Sequence, residues 1–445
     1  MKIHIPQEVE AILTKLNNSH FEAYIVGGCV RDSILGKKPK DWDISTSAQP
    51  SDVKKIFEKT VDTGIKHGTV TVVLNGNNYE VTTYRIDGSY SDNRRPDKVE
   101  FTSSLQEDLS RRDFTMNAIA CHPSSGLVDF HKGIEDLRNG IIKSVGDPDK
   151  RFNEDALRMM RAIRFSAQLG FRIDPEVLKS ISFNSSLINN VSNERIRDEL
   201  TKILTSDHPD RIEQLHDTGL LKHIMPEFDA CFNMNQDNPH HIYDVAQHTL
   251  KATSNIENTA ILRWTMLLHD IGKTLTKTID KEGIGHFYGH PAQSERLSKA
   301  ILNRLRFDKK SIETISKLVK YHDRSVEPNA KAVRKAIHSV GEDIFEALLK
   351  VKEADSRAQN PVYLEENLDI LKEIRRIYDD ILHSQPCLNL NKLAINGDDL
   401  KALGMEPGKK MGQTLELLME MILDDPGLNN REDLLRLAEK IRKEQ

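Results

Sequence analysis

The stretch Ala23-Tyr24-Ile25-Val26-Gly27-Gly28-Cys29-Val30-Arg31-Asp32, followed by Asp41-Trp42-Asp43, decides how the amino-terminal part of this 445-residue chain is read. Residues 23–26 form an apolar run of strand length. The two glycines after it let the backbone turn tightly and approach a triphosphate, whose charge the N–H groups and Arg31 can meet. Asp41 and Asp43 are one residue apart, so on an extended segment both carboxylates project from one face and Trp42 from the other. Two hard oxygen ligands on one face suit Mg²⁺ ions roughly 3.5–4 Å apart, the spacing of an in-line phosphoryl displacement. A lone Gly-Gly is usually a turn and a lone Asp-x-Asp usually a solvated loop. Together, within seventeen residues, they point to nucleotidyl transfer.

Three further blocks extend this reading. In Asp108-Leu-Ser-Arg111-Arg112-Asp113-Phe-Thr-Met-Asn117-Ala118 the arginines offer planar, permanently charged forks to phosphate oxygens. Asp113 can accept a hydrogen bond from a sugar hydroxyl, which favours a ribonucleotide. Residues 67–74 and 79–84 read as two strands around an Asn75-Gly76 turn, so Glu80 is either a third carboxylate beside the aspartate pair or an outward-facing strand residue. Across 153–169 the residues Ala156, Met159, Met160, Ile163 and Ala167 recur at helical spacing and predict a buried stripe. On the opposite side Asp155, Arg158, Arg161 and Arg164 fall three apart, predicting a slanting polar ridge on one helix. Arg161 and Arg164 either meet phosphate or stiffen that ridge.

In order and interval, the Gly-Gly-x-Val-Arg-Asp, Asp-x-Asp, Arg-Arg-Asp-x-x-x-Asn-Ala and Glu154-Asp155-x-x-Arg158 series resembles the class II tRNA nucleotidyltransferases and the bacterial poly(A) polymerases related to them. The resemblance is strong over about residues 20–205 and looser beyond. It implies nucleotide binding by Gly28, Arg31, Arg112, Asp113, Asp155, Arg158, Arg161 and Arg164, with Asp41 and Asp43 as the catalytic Mg²⁺ ligands. The residues matching Asp155 and Arg158 would read the Watson–Crick edge of the incoming base. Cytosine and adenine satisfy a carboxylate acceptor and a guanidinium donor, whereas uracil and guanine leave polar groups unpaired, at roughly 1–3 kcal/mol each if buried. The implied activity is addition of C, C and A to the tRNA 3′ end from CTP and ATP, with pyrophosphate released. Poly(A) synthesis or partial addition is the near alternative. The segment from Arg85 to Pro96 resembles the flexible loop that CC-only relatives lack or shorten, and so favours full addition.

Beyond residue 145 helical patterns dominate, so the expected fold is α+β: a small mixed α/β head, 1–145, followed by an elongated all-helical neck (146–205), body (206–380) and tail (381–445). Ser192-Asn-Glu194-Arg195-Ile-Arg197-Asp-Glu199-Leu200 resembles the helix that follows the base-reading helix in such enzymes, and equally reads as a solvated face. Within about 240–360, His248, the adjacent His269-Asp270 and the distant Asp355 follow the ligand order of the HD phosphohydrolase superfamily, which this region resembles. Such a set can hold a divalent transition metal with positions open for water, and His290 and His322 can support a second metal or bind phosphate. A phosphohydrolase whose head only senses nucleotide is the reading from a different class. A non-catalytic RNA-binding protein is a third, opposed by the intact acidic pair.

Composition sets outer limits. No apolar run approaches membrane-spanning length and Met1-Lys-Ile-His-Ile-Pro lacks a secretory pattern, so a cytoplasmic protein without membrane partners is expected. Cys29, Cys121, Cys231 and Cys387 are scattered, which indicates neither a disulfide framework nor a cysteine zinc site. A net charge of −5 excludes a chain basic all over, yet a tRNA needs only a local basic path, which Arg161, Arg164, Arg172, Arg195, Arg197 and Lys202 could begin.

Overall fold

The computed structural model of the chain describes residues 3–88, 99–384 and 386–444. Most of the loop expected between Arg85 and Pro96 therefore lies outside the described residues. The chain divides into two compact units, residues 1–226 and 227–445.

The first unit opens on a seven-stranded sheet formed by β1 (Ala23–Val26), β2 (Ile44–Thr46), β3 (Thr60–Gly64), β4 (Thr69–Leu74), β5 (Asn77–Thr83), β6 (Ala120–His122) and β7 (Gly126–Val128). Their spatial order is β3-β4-β5-β2-β1-β6-β7. The β2–β5 pair is parallel and the other neighbours are antiparallel. β1 has the bounds its apolar run predicts. Residues 65–67 form a short 3₁₀ turn, so β4 starts two residues later than the expected strand. Between β4 and β5, Asn75 and Gly76 both adopt left-handed backbone, at φ 51° and 81°, as a tight hairpin of right-handed twist requires.

Parallel pairing sets Ile44 of β2 against Val81 of β5, and both are buried in the head core with Ile25, Val30, Val70 and Val72. Because side chains alternate along a strand, the residues just before them, Asp43 and Glu80, emerge together on the opposite, exposed face. Asp41 is exposed as well, whereas Trp42 packs against the core, as the alternation predicts.

The expected continuous helix over 153–169 is corrected. Pro148–Glu154 and Leu157–Leu169 are separate helices, and Asp155 between them is extended at φ −140° and ψ 103°. Its Oδ1 accepts the Leu157 N–H at 3.1 Å, so Asp155 starts the second helix instead of continuing the first. The polar ridge accordingly begins at Arg158, with Asp155 at its base. The apolar stripe holds: Ala156, Met159, Met160, Ile163 and Ala167 are fully buried. The helix Asn193–Leu204 packs against Leu157–Leu169.

Among its described residues the second unit is helical apart from a small ribbon, Thr278–Ile279 with Gly285–His286. An apolar cluster there includes Val333, Ile337, Phe345, Leu348, Leu400 and Leu418. The architecture is thus α+β, a mixed-sheet head followed by helices. Among the described residues no helix is long and apolar enough to cross a membrane. All four cysteines are free, buried thiols.

Candidate active site

All ten head and neck residues singled out from the sequence line one cleft of about 670 Å³ within the first unit: Gly28, Arg31, Asp41, Asp43, Arg112, Asp113, Asp155, Arg158, Arg161 and Arg164. Asp41 and Asp43 sit at the edge of β2. Burial beside protein raises the Asp43 carboxyl, the Arg112 guanidinium pulls it down, and repulsion from Asp41 raises it again. Glu80 is raised by desolvation and then by Asp43 and Asp41, so the three carboxylates share one field. Among the described residues, however, the head holds no group of three potential ligand atoms within 4.8 Å of one another, so Asp41, Asp43 and Glu80 do not form a closed triad.

Gly27 makes the turn from β1 into the helix Gly28–Ile34 with φ 77°. A Cβ at Gly27 would lie 2.8 Å from Nη1 of Arg112, so the glycine also makes room for that guanidinium. Arg112 is held loosely, 3.4 Å from the Asn117 carbonyl and the Ser45 hydroxyl and 3.6 Å from Asp108, while its Nε is buried without a partner. A cation so placed has donors to spare for an anion.

A relay of polar bonds crosses the cleft wall. Arg31 donates to the Asn117 side chain at 2.7 Å, and Asn117 donates to Oδ1 of Asp113 at 3.0 Å. Arg161 donates twice to Oδ2 of Asp113, at 2.8 and 2.5 Å. Burial alone would raise the Asp113 carboxyl, but Arg161 and Asn117 outweigh it and hold the group well below the usual carboxylate range. Arg164 pairs with Glu199 at 2.7 Å, and its guanidinium is lowered to about 10 by burial and by repulsion from Arg161. Both arginines thus carry structural ties of their own.

Asp155 is clasped by Arg195, whose two terminal nitrogens lie 3.3 and 2.9 Å from the carboxylate oxygens. Arg158 donates from Nη1 to Glu154 at 2.7 Å and to the Arg151 carbonyl at 3.3 Å, and from Nη2 to the Arg111 carbonyl at 3.0 Å. Its Nε–H and one Nη2–H remain for a ligand. Arg111, read from the sequence as a phosphate fork beside Arg112, lines the cleft too, as do Asn117, Phe165 and Arg195, which were given no place in the expected nucleotide site. The sequence carries a signal for Asn117, which belongs to the Arg111–Asn117 block, and offers Arg195 only as part of a basic path; Phe165 is brought in by the fold alone.

The second unit gathers His248, His269, Asp270 and Asp355, and adds His290 and His322. His248 Nε2 lies 2.8 Å from Asp355 and 3.3 Å from His269 Nε2, and His290 and His322 face one another at 3.3 Å through Nε2. Each of the four imidazoles turns Nδ1 to a backbone carbonyl, those of Ala358, Met266, Phe287 and Val319. A carbonyl only accepts, so every Nδ1 carries a proton and every Nε2 is the ring nitrogen turned inward toward the carboxylates, where it could ligate a metal. Two ligand triads result, His248-His269-Asp270 and Asp270-His290-His322, with Asp270 common to both. Burial would lower the His269 imidazole, but Asp270 and Asp355 raise it to about 10; both aspartates are held well below the usual range. Lys273, also buried, reaches Asp270 at 2.7 Å and Gln236 at 2.8 Å. A cleft of about 380 Å³ opens onto Asp270, His290, His322 and Asp355.

Comparison with known proteins agrees with this arrangement. Residues 23–143 match the model of the "Poly A polymerase head domain", 170–232 that of the "Probable RNA and SrmB-binding site of polymerase A", and 287–438 that of tRNA nucleotidyltransferase domain 2. The chain is 34% identical to a CCA-adding enzyme of Pediococcus pentosaceus, over 99% of this chain and 100% of the relative, and 35% identical to one of Ligilactobacillus salivarius, over 99% and 98%. It superposes on the Bacillus stearothermophilus CCA-adding enzyme in complex with CTP with a TM-score of 0.72 at 29% identity, covering 98% of each chain. The Thermotoga maritima CCA-adding enzyme complexed with tRNA shares the fold at a TM-score of 0.58 and 20% identity, covering 99% and 96%. With identity above 30% sustained along nearly the whole of both chains, under a head cleft that brings the motif residues together, the chain belongs to the CCA-adding enzyme family.

Proposed function

We propose that this chain adds C, C and A to the 3′ end of tRNA, drawing on CTP and ATP and releasing pyrophosphate. The observation that carries the reading is the single cleft in which Asp41 and Asp43 face seven arginines. Two carboxylates one residue apart, both open to solvent, form a hard-oxygen donor set that suits Mg²⁺. Bound there, Mg²⁺ would activate the primer 3′-hydroxyl and neutralise the leaving pyrophosphate. Arg112, with unspent donors, and Arg31, fixed through Asn117, orient the triphosphate, so much of the acceleration comes from alignment. Asp113 holds Arg161 in place in the cleft wall. Asp155 keeps a lone pair on Oδ2 for an exocyclic amino group, and the free Nε–H and Nη2–H of Arg158 serve ring acceptors. Cytosine and adenine satisfy both.

On this reading the head spans 1–145, the base-reading neck 146–205, the body 206–380 and the tail 381–445, and the enzyme works in the cytoplasm with its tRNA and nucleotide substrates. The body cluster supports a second activity, metal-dependent hydrolysis of a phosphate ester. Four tautomerically fixed imidazoles and two carboxylates form a donor set for a divalent transition metal, and the shared Asp270 gives room for two.

The test of the primary reading is Asp41→Asn and Asp43→Asn. Each should abolish nucleotide incorporation while tRNA binding persists, measured by primer extension and by filter binding on the same preparations. Near-wild-type turnover in either variant at ordinary Mg²⁺ would remove the aspartate pair from the chemistry.

A further inference from the structure

Phe165 lies in the middle of the cleft wall, 4% exposed, on the helix Leu157–Leu169. Three guanidiniums surround its ring, with Arg164 at 4.0 Å from the centroid, Arg31 at 5.1 Å and Arg161 at 5.4 Å. The ring is itself fixed from behind by the fully buried Phe114, edge to face at 5.8 Å and 85°. Each arginine has outer ties of its own, Arg31 to Asn117 and Asp32, Arg161 to Asp113 and Arg164 to Glu199, but these partners lie on different elements. The ring is the one group all three share. Like charges so close repel one another, and Arg164, lowered first by burial, is lowered further by Arg161 and Arg31. An aromatic face, negative at its centre, attracts each guanidinium without neutralising it, which a carboxylate in the same place would do.

We infer that Phe165 is a positioning residue for triphosphate binding: its π-face gathers Arg31, Arg161 and Arg164 into one wall of donors and adds no further negative charge to oppose the polyanion. This rests on the reading of the head cleft as the nucleotide site. It separates two kinds of recognition in that cleft. The ring governs the grip on phosphate, which every nucleotide shares, and leaves the choice of base to Asp155 and Arg158.

The experiment is equilibrium binding of CTP and of ATP to the full chain by calorimetry. It compares wild type, Phe165→Leu, Phe165→Tyr and a protein carrying 3,4,5-trifluorophenylalanine at position 165. The fluorinated ring keeps shape and packing while cancelling the negative centre, so it tests the ring's electronics in a protein that folds. Phe165→Leu and the fluorinated ring should both weaken CTP and ATP by about five- to thirty-fold and by the same factor, with Phe165→Tyr within about twofold of wild type. Wild-type affinity with the fluorinated ring would reduce Phe165 to packing and overturn the inference. So would a loss confined to one nucleotide. If wild type binds neither nucleotide, the reading of the cleft falls and the inference falls with it.

Discussion

Asp155 shows how one side chain serves fold and selectivity together. Its carboxylate accepts the N–H of Leu157 at the start of the next helix, is clasped by Arg195, and still presents an acceptor to the cleft. Asp155→Ala and Arg158→Ala should therefore narrow discrimination against UTP and GTP by about 1–3 kcal/mol, or roughly five- to 150-fold in relative kcat/KM, while triphosphate affinity persists. Asp155→Ala should also lose about 0.5–1.5 kcal/mol of stability with the hydrogen bond to Leu157. A uniform fall in kcat/KM for all four nucleotides would make the pair a structural strut. Asp113 supplies a pH test. Its carboxyl is held below the ordinary value by Arg161 and Asn117, so the stability it contributes is full above the ordinary carboxylate pKa and is lost as pH falls through the depressed one. Asp113→Asn should be less stable than wild type by about 1.5–3 kcal/mol near neutrality, with the gap shrinking as pH drops below about 4. A gap in urea unfolding that stays constant with pH would mean that the Asp113 charge contributes nothing.

At the level of elements, β1 and the turn after it were legible because an apolar run ending in Gly-Gly leaves little conformational choice. The turn also yields a prediction: Gly27→Ala must hold φ 77° and push Nη1 of Arg112 aside, since its Cβ would lie 2.8 Å away. The strain should cost about 1–2 kcal/mol of stability, and the displaced guanidinium should raise KM for CTP and ATP alike. A folded Gly27→Ala variant with unchanged KM would detach Arg112 from the triphosphate. The break at Asp155 was not legible. One extended residue does not interrupt an apolar stripe that runs from Ala156 to Ala167, and a periodicity averaged over three turns passes across it. β3 was missed for the opposite reason: Thr60–Gly64 is a half-exposed edge strand of Thr-Val-Asp-Thr-Gly, with no apolar alternation to announce it.

Across the whole molecule, the sequence motifs predicted which residues meet in each site, while the fold alone revealed how those residues are tied. Four expected ligands of the second unit do converge, but the sharing of Asp270 between two triads depends on residues more than thirty positions apart in the chain, such as His290 and His322. The two sites lie in different compact units, so their chemistry should separate. His269→Ala and Asp270→Ala should abolish metal-dependent phosphohydrolysis and lower bound transition metal, read by elemental analysis, while nucleotide addition continues. Loss of both activities in a folded protein would show the sites to be coupled. The most direct test of the central claim is product length. The chain is incubated with each nucleotide, alone and in combination, on tRNA ending before CCA, on tRNA ending in CC and on an unrelated RNA. The account predicts C, C and A on the first substrate and then a stop, a single A from ATP alone on the second, and no extension of the third. A run of A residues on the unrelated RNA, or a halt after CC with ATP present, would contradict it.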